Sequence, residues 1–105
     1  MSVALQIPAY EGVPARLIPI ATEAVYASEW LPLADSIGAR WLQRFQAGAE
    51  VGHDDLAQVA SEFERAGARF IVDRKPELAG RAVAVFEALR GFAASARAGS
   101  TLFIG

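Results

Sequence analysis

A chain of 105 residues with net charge -2, 53% apolar and 21% charged residues fits one folded domain, too short for two and too apolar for disorder. Acids and bases alternate along it, and its basic cluster is confined to Arg69, Arg74 and Lys75, which argues against a nucleic-acid surface, where a concentrated positive field is required. It contains no cysteine, its first positive charge is Arg16, and it has no apolar run of membrane-spanning length, so the expectation is a cytoplasmic protein without disulfide, thiolate site, signal peptide or anchor.

Val3, Leu5 and Ile7 alternate with Ala4 and Gln6 as in a half-buried strand, which Pro8 ends by removing a ladder donor. A Gly/Pro turn at 10–14 follows, then a second apolar run, Arg16 to Ile20. Pro19 within that run predicts an edge position or a bulge. Thr22 with Glu23 predicts a helix start, a hydroxyl cap followed by an acid at the positive end of the dipole. Tyr26, Trp30, Leu33 and Ile37 continue at helical spacing, with Pro32 imposing a kink or a restart at Ser28 and Gly38 a stop. Ala39 to Gln46 reads two ways. Trp41 and Phe45 are four apart as on a helix, yet Trp41, Gln43 and Phe45 alternate, and the bracketing Gly38 and Gly48 favour a strand or extended connector.

Asp55 followed by Gln58 resembles a capping box, opening a helix to about Arg69, with Leu56, Val59, Ala60, Phe63 and Phe70 continuing an apolar face. Pro76 opens a third helix in which Leu78, Ala82, Val85, Leu89, Phe92 and Ala96 recur at four and three until Gly99. Thr101 to Ile104 closes the chain as a short strand. The expected fold class is α+β: a small sheet from the N-terminal strands and the C-terminal strand, packed with about three helices. A helical bundle with extended ends is the alternative.

The chemistry-bearing residues are sparse. His53-Asp54-Asp55 joins a histidine to acids, but three consecutive residues cannot converge on one ion, and a polar helix cap explains them as well; no metal or cofactor is assigned. Glu29, Asp35, His53 and Glu62 could line an aromatic pocket for acid–base work, or the acids could simply be solvated, with Glu62–Arg65, Glu77–Arg81 and Glu87–Arg90 as surface pairs. No serine sits in a Gly-x-Ser-x-Gly setting. Small residues Gly80, Ala84, Ala88, Gly91 and Ser95 form a second stripe on the third helix, a plain surface or a contact to another helix or a second copy. The aromatic stretch from Thr22 to Gln46 is either core or binding anchor, since Trp and Tyr dominate hot spots. Candidate partner contacts are Trp30, Trp41, Arg44, Phe45, Glu50, Asp54 and Asp55, with Trp41 the indole expected to be exposed.

The order Ile18-Pro19-Ile20-Ala21-Thr22-Glu23, Trp30-Leu31-Pro32, Trp41-Leu42 with Phe45 and Gly48, then Asp55-Leu56 opening a helix, resembles the layout of small bacterial immunity proteins that accompany polymorphic or secreted toxins. It spans residues 16 to 65 as a pattern of residue types. The resemblance implies a non-enzymatic inhibitor that binds its cognate toxin domain and occludes or distorts the active site. It assigns no contact residue by position. The chain departs from inhibitors of basic nucleases in lacking a strong acidic excess. Three readings therefore stand at this level: a protein-binding module of the immunity type, a small enzyme or ligand-binding domain, and a subunit that self-associates, possible as a homodimer, through the stripe around Ala88.

Overall fold

The computed structural model describes residues 2–10, 12–97 and 99–105. Two strands open the chain, β1 (Ser2–Ile7) and β2 (Arg16–Thr22), joined by a loop in which Tyr10 and Val13 exchange both backbone hydrogen bonds. A helix follows in three parts: α1 (Glu23–Val25), a π-helical turn (Tyr26–Trp30) and α2 (Leu31–Ile37). After it come α3 (Arg40–Arg44), β3 (Ala49–Gly52) and a 3-10 turn (His53–Asp55). Two long helices, α4 (Leu56–Val72) and α5 (Pro76–Ser95), lead to β4 (Thr101–Ile104). The fold is α+β, with one antiparallel four-stranded sheet in the order β2-β1-β4-β3.

Pro19 explains where β2 lies. It has no donor for a second neighbour, and β2 is an edge strand whose pairing with β1 slips between Val3 and Ala4, so that Ile20 is passed over in the register. Val3, Leu5, Ile7, Val51, Leu102 and Ile104 point to the helices and are buried with Leu33, Leu42, Phe63, Phe70, Leu89 and Phe92. α4 and α5 pack as an antiparallel hairpin that draws together where a Cβ on Gly67 would stand 3.4 Å from that of Ala82. No helix among the described residues is long and apolar enough to cross a membrane.

Thr22 caps the first helix as its sequence suggests, its hydroxyl accepting from the Val25 amide at 3.2 Å. Pro32 neither breaks that helix nor forces a restart at Ser28. The turn before it widens, with the Leu31 amide donating to the Tyr26 carbonyl five residues back. This loosening makes room for a ring that cannot donate and would crowd the Ser28 carbonyl in a regular α-helix. Gly38 ends the helix in the left-handed conformation, φ 68°.

Three expectations are corrected. Arg40–Arg44 is a helix and not a strand, and the extended segment begins only at Ala49, beyond Gly48. The capping box at Asp55 does not form: the preceding 3-10 turn already holds Asp55 near helical angles, φ -97° and ψ -8°, from which its side chain makes no cap bond. The basic partners assigned to Glu62, Glu77 and Glu87 have other uses: Arg65 donates to the Ile37 carbonyl, Arg81 to the Pro19 carbonyl, and Arg90 lies over the Phe86 ring.

Candidate functional site

The junction between α2 and α3 concentrates what polar chemistry the interior holds. α3 begins after Ala39, a fully buried residue in extended conformation whose methyl group cannot cap the first amides of the helix. The cap arrives from α4. Glu62, only 2% exposed, accepts from the Leu42 amide at 3.1 Å, and the Trp41 amide donates to the same carboxylate. One helical turn along α4, Arg65 donates to the Ile37 carbonyl at 2.9 Å. An acid thus meets the positive end of α3 and a base the negative end of α2, both from residues three apart on one helix. From the other side the Tyr26 hydroxyl donates to the Leu42 carbonyl at 2.5 Å.

Burial raises the Glu62 carboxyl above its ordinary range, outweighing the Leu42 and Trp41 amides and the charges of Arg65 and Arg44, which act in the opposite direction. Burial first and the Glu62 charge second push the Tyr26 hydroxyl far above the ordinary tyrosine value of 10.0. Both groups sit where the polypeptide folds tightly around them. Neither faces solvent.

α3 so held presents Trp41, half-buried, with the Arg44 guanidinium 4.9 Å from the centre of its ring and Phe45 behind it at 6.2 Å. Arg44 itself is exposed. The turn after it, in which the Ala47 and Gly48 amides both reach the Arg44 carbonyl at 3.2 Å, hands the chain to β3, where Glu50 is exposed. Asp54 and Asp55 follow, exposed in the 3-10 turn.

Two of the seven candidate contacts are withdrawn into the core. Trp30 and Phe45 are 0% exposed: Trp30 stacks on Tyr26 at 5.7 Å and meets Phe63 and Phe70 edge-on at 5.8 and 5.0 Å, while Phe45 stacks on Phe63 at 6.1 Å. Their spacing placed them on an inward helix face and against α4, so they are structural and not available to a partner. The carboxylates proposed for an aromatic pocket are also dispersed in role. Glu29 is ion-paired with Lys75, Asp35 is exposed, and Glu62 is bound to backbone amides. His53 is half-buried, with Nε2 enclosed and unpartnered. Among the described residues no group of three or more His, Cys, Asp or Glu could hold a metal ion. The small-residue stripe of α5 faces outward, with open space beside Gly80 and Gly91 and only Ala88 half-buried.

Sequence reasoning missed the role of Glu62, although a signal was present. Val59, Phe63, Ala66 and Phe70 trace the buried stripe of α4, and Glu62 falls within it, three after Val59 and four before Ala66. An acid in phase with an apolar face needs a buried partner. The sheet has one face covered by helices, as expected for this α+β class, and one open, where Leu17 and Phe103 are 66% and 40% exposed. No protein-family model, curated protein or solved structure matches this chain.

Proposed function

We propose that the chain is a non-enzymatic protein-binding module, and specifically an immunity protein that binds and neutralises a cognate bacterial toxin domain in the cytoplasm. The observation that carries the reading is the pinned presentation of Trp41 and Arg44: a half-exposed indole stacked with a guanidinium, on a five-residue helix fixed by Glu62 at one end and Tyr26 through the Leu42 carbonyl. Trp and Arg lead the residue types that dominate binding energy, and a helix of this length has no stability of its own without such ties. Holding the anchor before the partner arrives removes an ordering cost that would otherwise weaken the complex. Glu50, Asp54 and Asp55, exposed in the chain segment that follows α3, add negative charge suited to a partner with basic residues. The class of partner follows from the resemblance of residues 16 to 65 to the layout of small immunity proteins.

The test is co-purification and calorimetry with the product encoded beside this gene, followed by a toxicity assay with the two co-expressed. We expect a one-to-one complex that abolishes toxicity, and Trp41→Ala or Arg44→Ala to weaken it at least about 30-fold with an unchanged far-UV circular dichroism spectrum. Undiminished toxicity in the presence of excess wild-type chain would refute the immunity reading. Full affinity in both variants would remove α3 from the interface.

A further inference from the structure

α3 carries charge of one sign. Its residues, Arg40–Arg44, include two arginines and no acid. Helical spacing turns Leu42 and the following Phe45 inward, where both are fully buried, and leaves Arg40, Gln43 and Arg44 exposed on the outer side with the two arginines four apart. Like charges at that spacing repel, and Arg40, as the first residue of the helix, also stands at the positive end of its dipole. Among the described residues no carboxylate is paired with either. Arg40 makes no ion pair, side-chain hydrogen bond or ring contact, while Arg44 rests on the Trp41 ring and makes no ion pair. Glu62, behind the helix, is buried and taken up by the Trp41 and Leu42 amides.

We infer, on the strength of the binding role proposed for α3, that its outer side receives a carboxylate-bearing segment of the partner protein, with an Asp or Glu of that segment held between the guanidinium groups of Arg40 and Arg44. A carboxylate placed there cancels the repulsion between the two arginines and the unfavourable seat of Arg40 on the dipole, neither of which a neutral or basic group would relieve. Guanidinium planes grip carboxylates through paired hydrogen bonds, and Arg44, 4.9 Å from the centre of the Trp41 ring, has less freedom to lose on binding than an arginine standing free in water. An extended polyanion fits less well. The chain has 10 Lys and Arg against 12 Asp and Glu; without Arg40 and Arg44 the balance is eight against twelve, a net -4, so the rest of the molecule repels nucleic acid or an anionic membrane while α3 admits a discrete acidic side chain. The partner therefore carries both signs, acidic where it meets α3 and basic where it meets Glu50, Asp54 and Asp55, and that division fixes which way round it docks.

The test is a titration of the isotope-labelled full chain with an end-capped pentaglutamate peptide at neutral pH and low salt, followed by NMR. Saturable shifts centred on Arg40, Trp41 and Arg44 are expected, with a Kd on the order of millimolar that is lost at about 0.3 M salt, and free glutamate at equal carboxylate concentration should bind more weakly. Arg40→Gln and Arg44→Gln, at exposed sites, should each weaken the peptide about threefold and together about tenfold, with circular dichroism unchanged. Peptide shifts that avoid α3, or that persist in the double variant, would overturn the proposal, as would tighter binding of a DNA duplex or of phosphatidylserine vesicles at the same residues. The peptide reads the site without the neighbouring gene product, so a failure of the immunity reading leaves this result standing. Where that product does bind, Arg40→Glu should weaken it about tenfold; undiminished affinity would overturn the carboxylate contact and leave the immunity reading intact.

Discussion

Glu62→Ala removes the acceptor from the buried Leu42 amide and from the Trp41 amide beside it, leaving both without that partner. Each orphaned donor costs about 1–3 kcal/mol, and loss of the buried stem adds about 1 kcal/mol, while relief of the desolvated carboxylate returns part of this. The net expectation is a loss of about 3 kcal/mol, a large share of the ~5–15 kcal/mol typical of a domain. Glu62→Gln keeps an acceptor oxygen and should lose about 1 kcal/mol. The pH dependence follows from the raised carboxyl. The unfolded chain ionises Glu62 around its ordinary 4.5, the folded chain holds the proton to higher pH, and between those points the native state binds more protons. The contribution of Glu62 is therefore complete below 4.5 and declines as pH rises through the folded value. Glutamine does not titrate, so the advantage of wild type over Glu62→Gln should be greatest in acid near 4.5 and shrink as pH rises. Urea unfolding of the three proteins at several pH values, followed by far-UV circular dichroism, measures both effects. An advantage that grows with pH, or a cost below about 1 kcal/mol for Glu62→Ala, would refute the account of a buried carboxylate gripping α3.

Three further outcomes follow from the same packing. Tyr26 should stay un-ionised in the folded chain well above pH 10.0, so the phenolate absorbance of this residue should appear only with unfolding, and stability should fall as pH rises beyond that value. Trp30 has its indole N–H buried and unpartnered, so Trp30→Phe trades lost packing against removal of an unpaired donor and should change stability by less than about 1 kcal/mol in chemical denaturation. Trp30→Ala should lose about 3–5 kcal/mol by the same measurement. Gly48 has φ 92°, and a methyl group there would displace the Phe103 ring; Gly48→Ala should cost about 1–2 kcal/mol in the same denaturation measurement.

The elements with strong periodicity were legible in the sequence. α5 begins at Pro76 as the first-turn proline requires, and Gly38 terminates α2 because a left-handed residue was needed there. Pro19 marked an edge position or a bulge: β2 is an edge strand, and its register with β1 shifts beside Pro19. What was not legible depends on partners distant in sequence. Trp41 and Phe45 fit helix and strand equally well, and the helix forms because Glu62, 20 residues beyond Leu42, supplies the cap that the local sequence lacks. The π-helical turn at Tyr26–Trp30 likewise accommodates Pro32 without a break, and Trp30 at its end is in the core. For the candidate site, the indole expected at the surface, Trp41, is the half-buried one and Trp30 lies in the core. Spacing alone did not separate Phe45 from Trp41, four residues apart across α3, because it is Phe63 on α4 that draws Phe45 inward.

The central pair of the sheet joins segments from opposite ends of these 105 residues: β1 lies against β4, and the Gly105 amide donates to the Ala4 carbonyl at 3.0 Å. On the ribosome the β1–β2 hairpin and the α4–α5 hairpin can each assemble from neighbouring residues, but the sheet cannot close, nor can β3 find its partner, until residues 101–104 have emerged. The long sequence separation of that last step makes it slow relative to helix formation. Closure of the sheet, and with it the placing of β3 beside β4, therefore waits on residues 101–104 however early the two hairpins form, a dependence that a purely helical domain of equal length would not have.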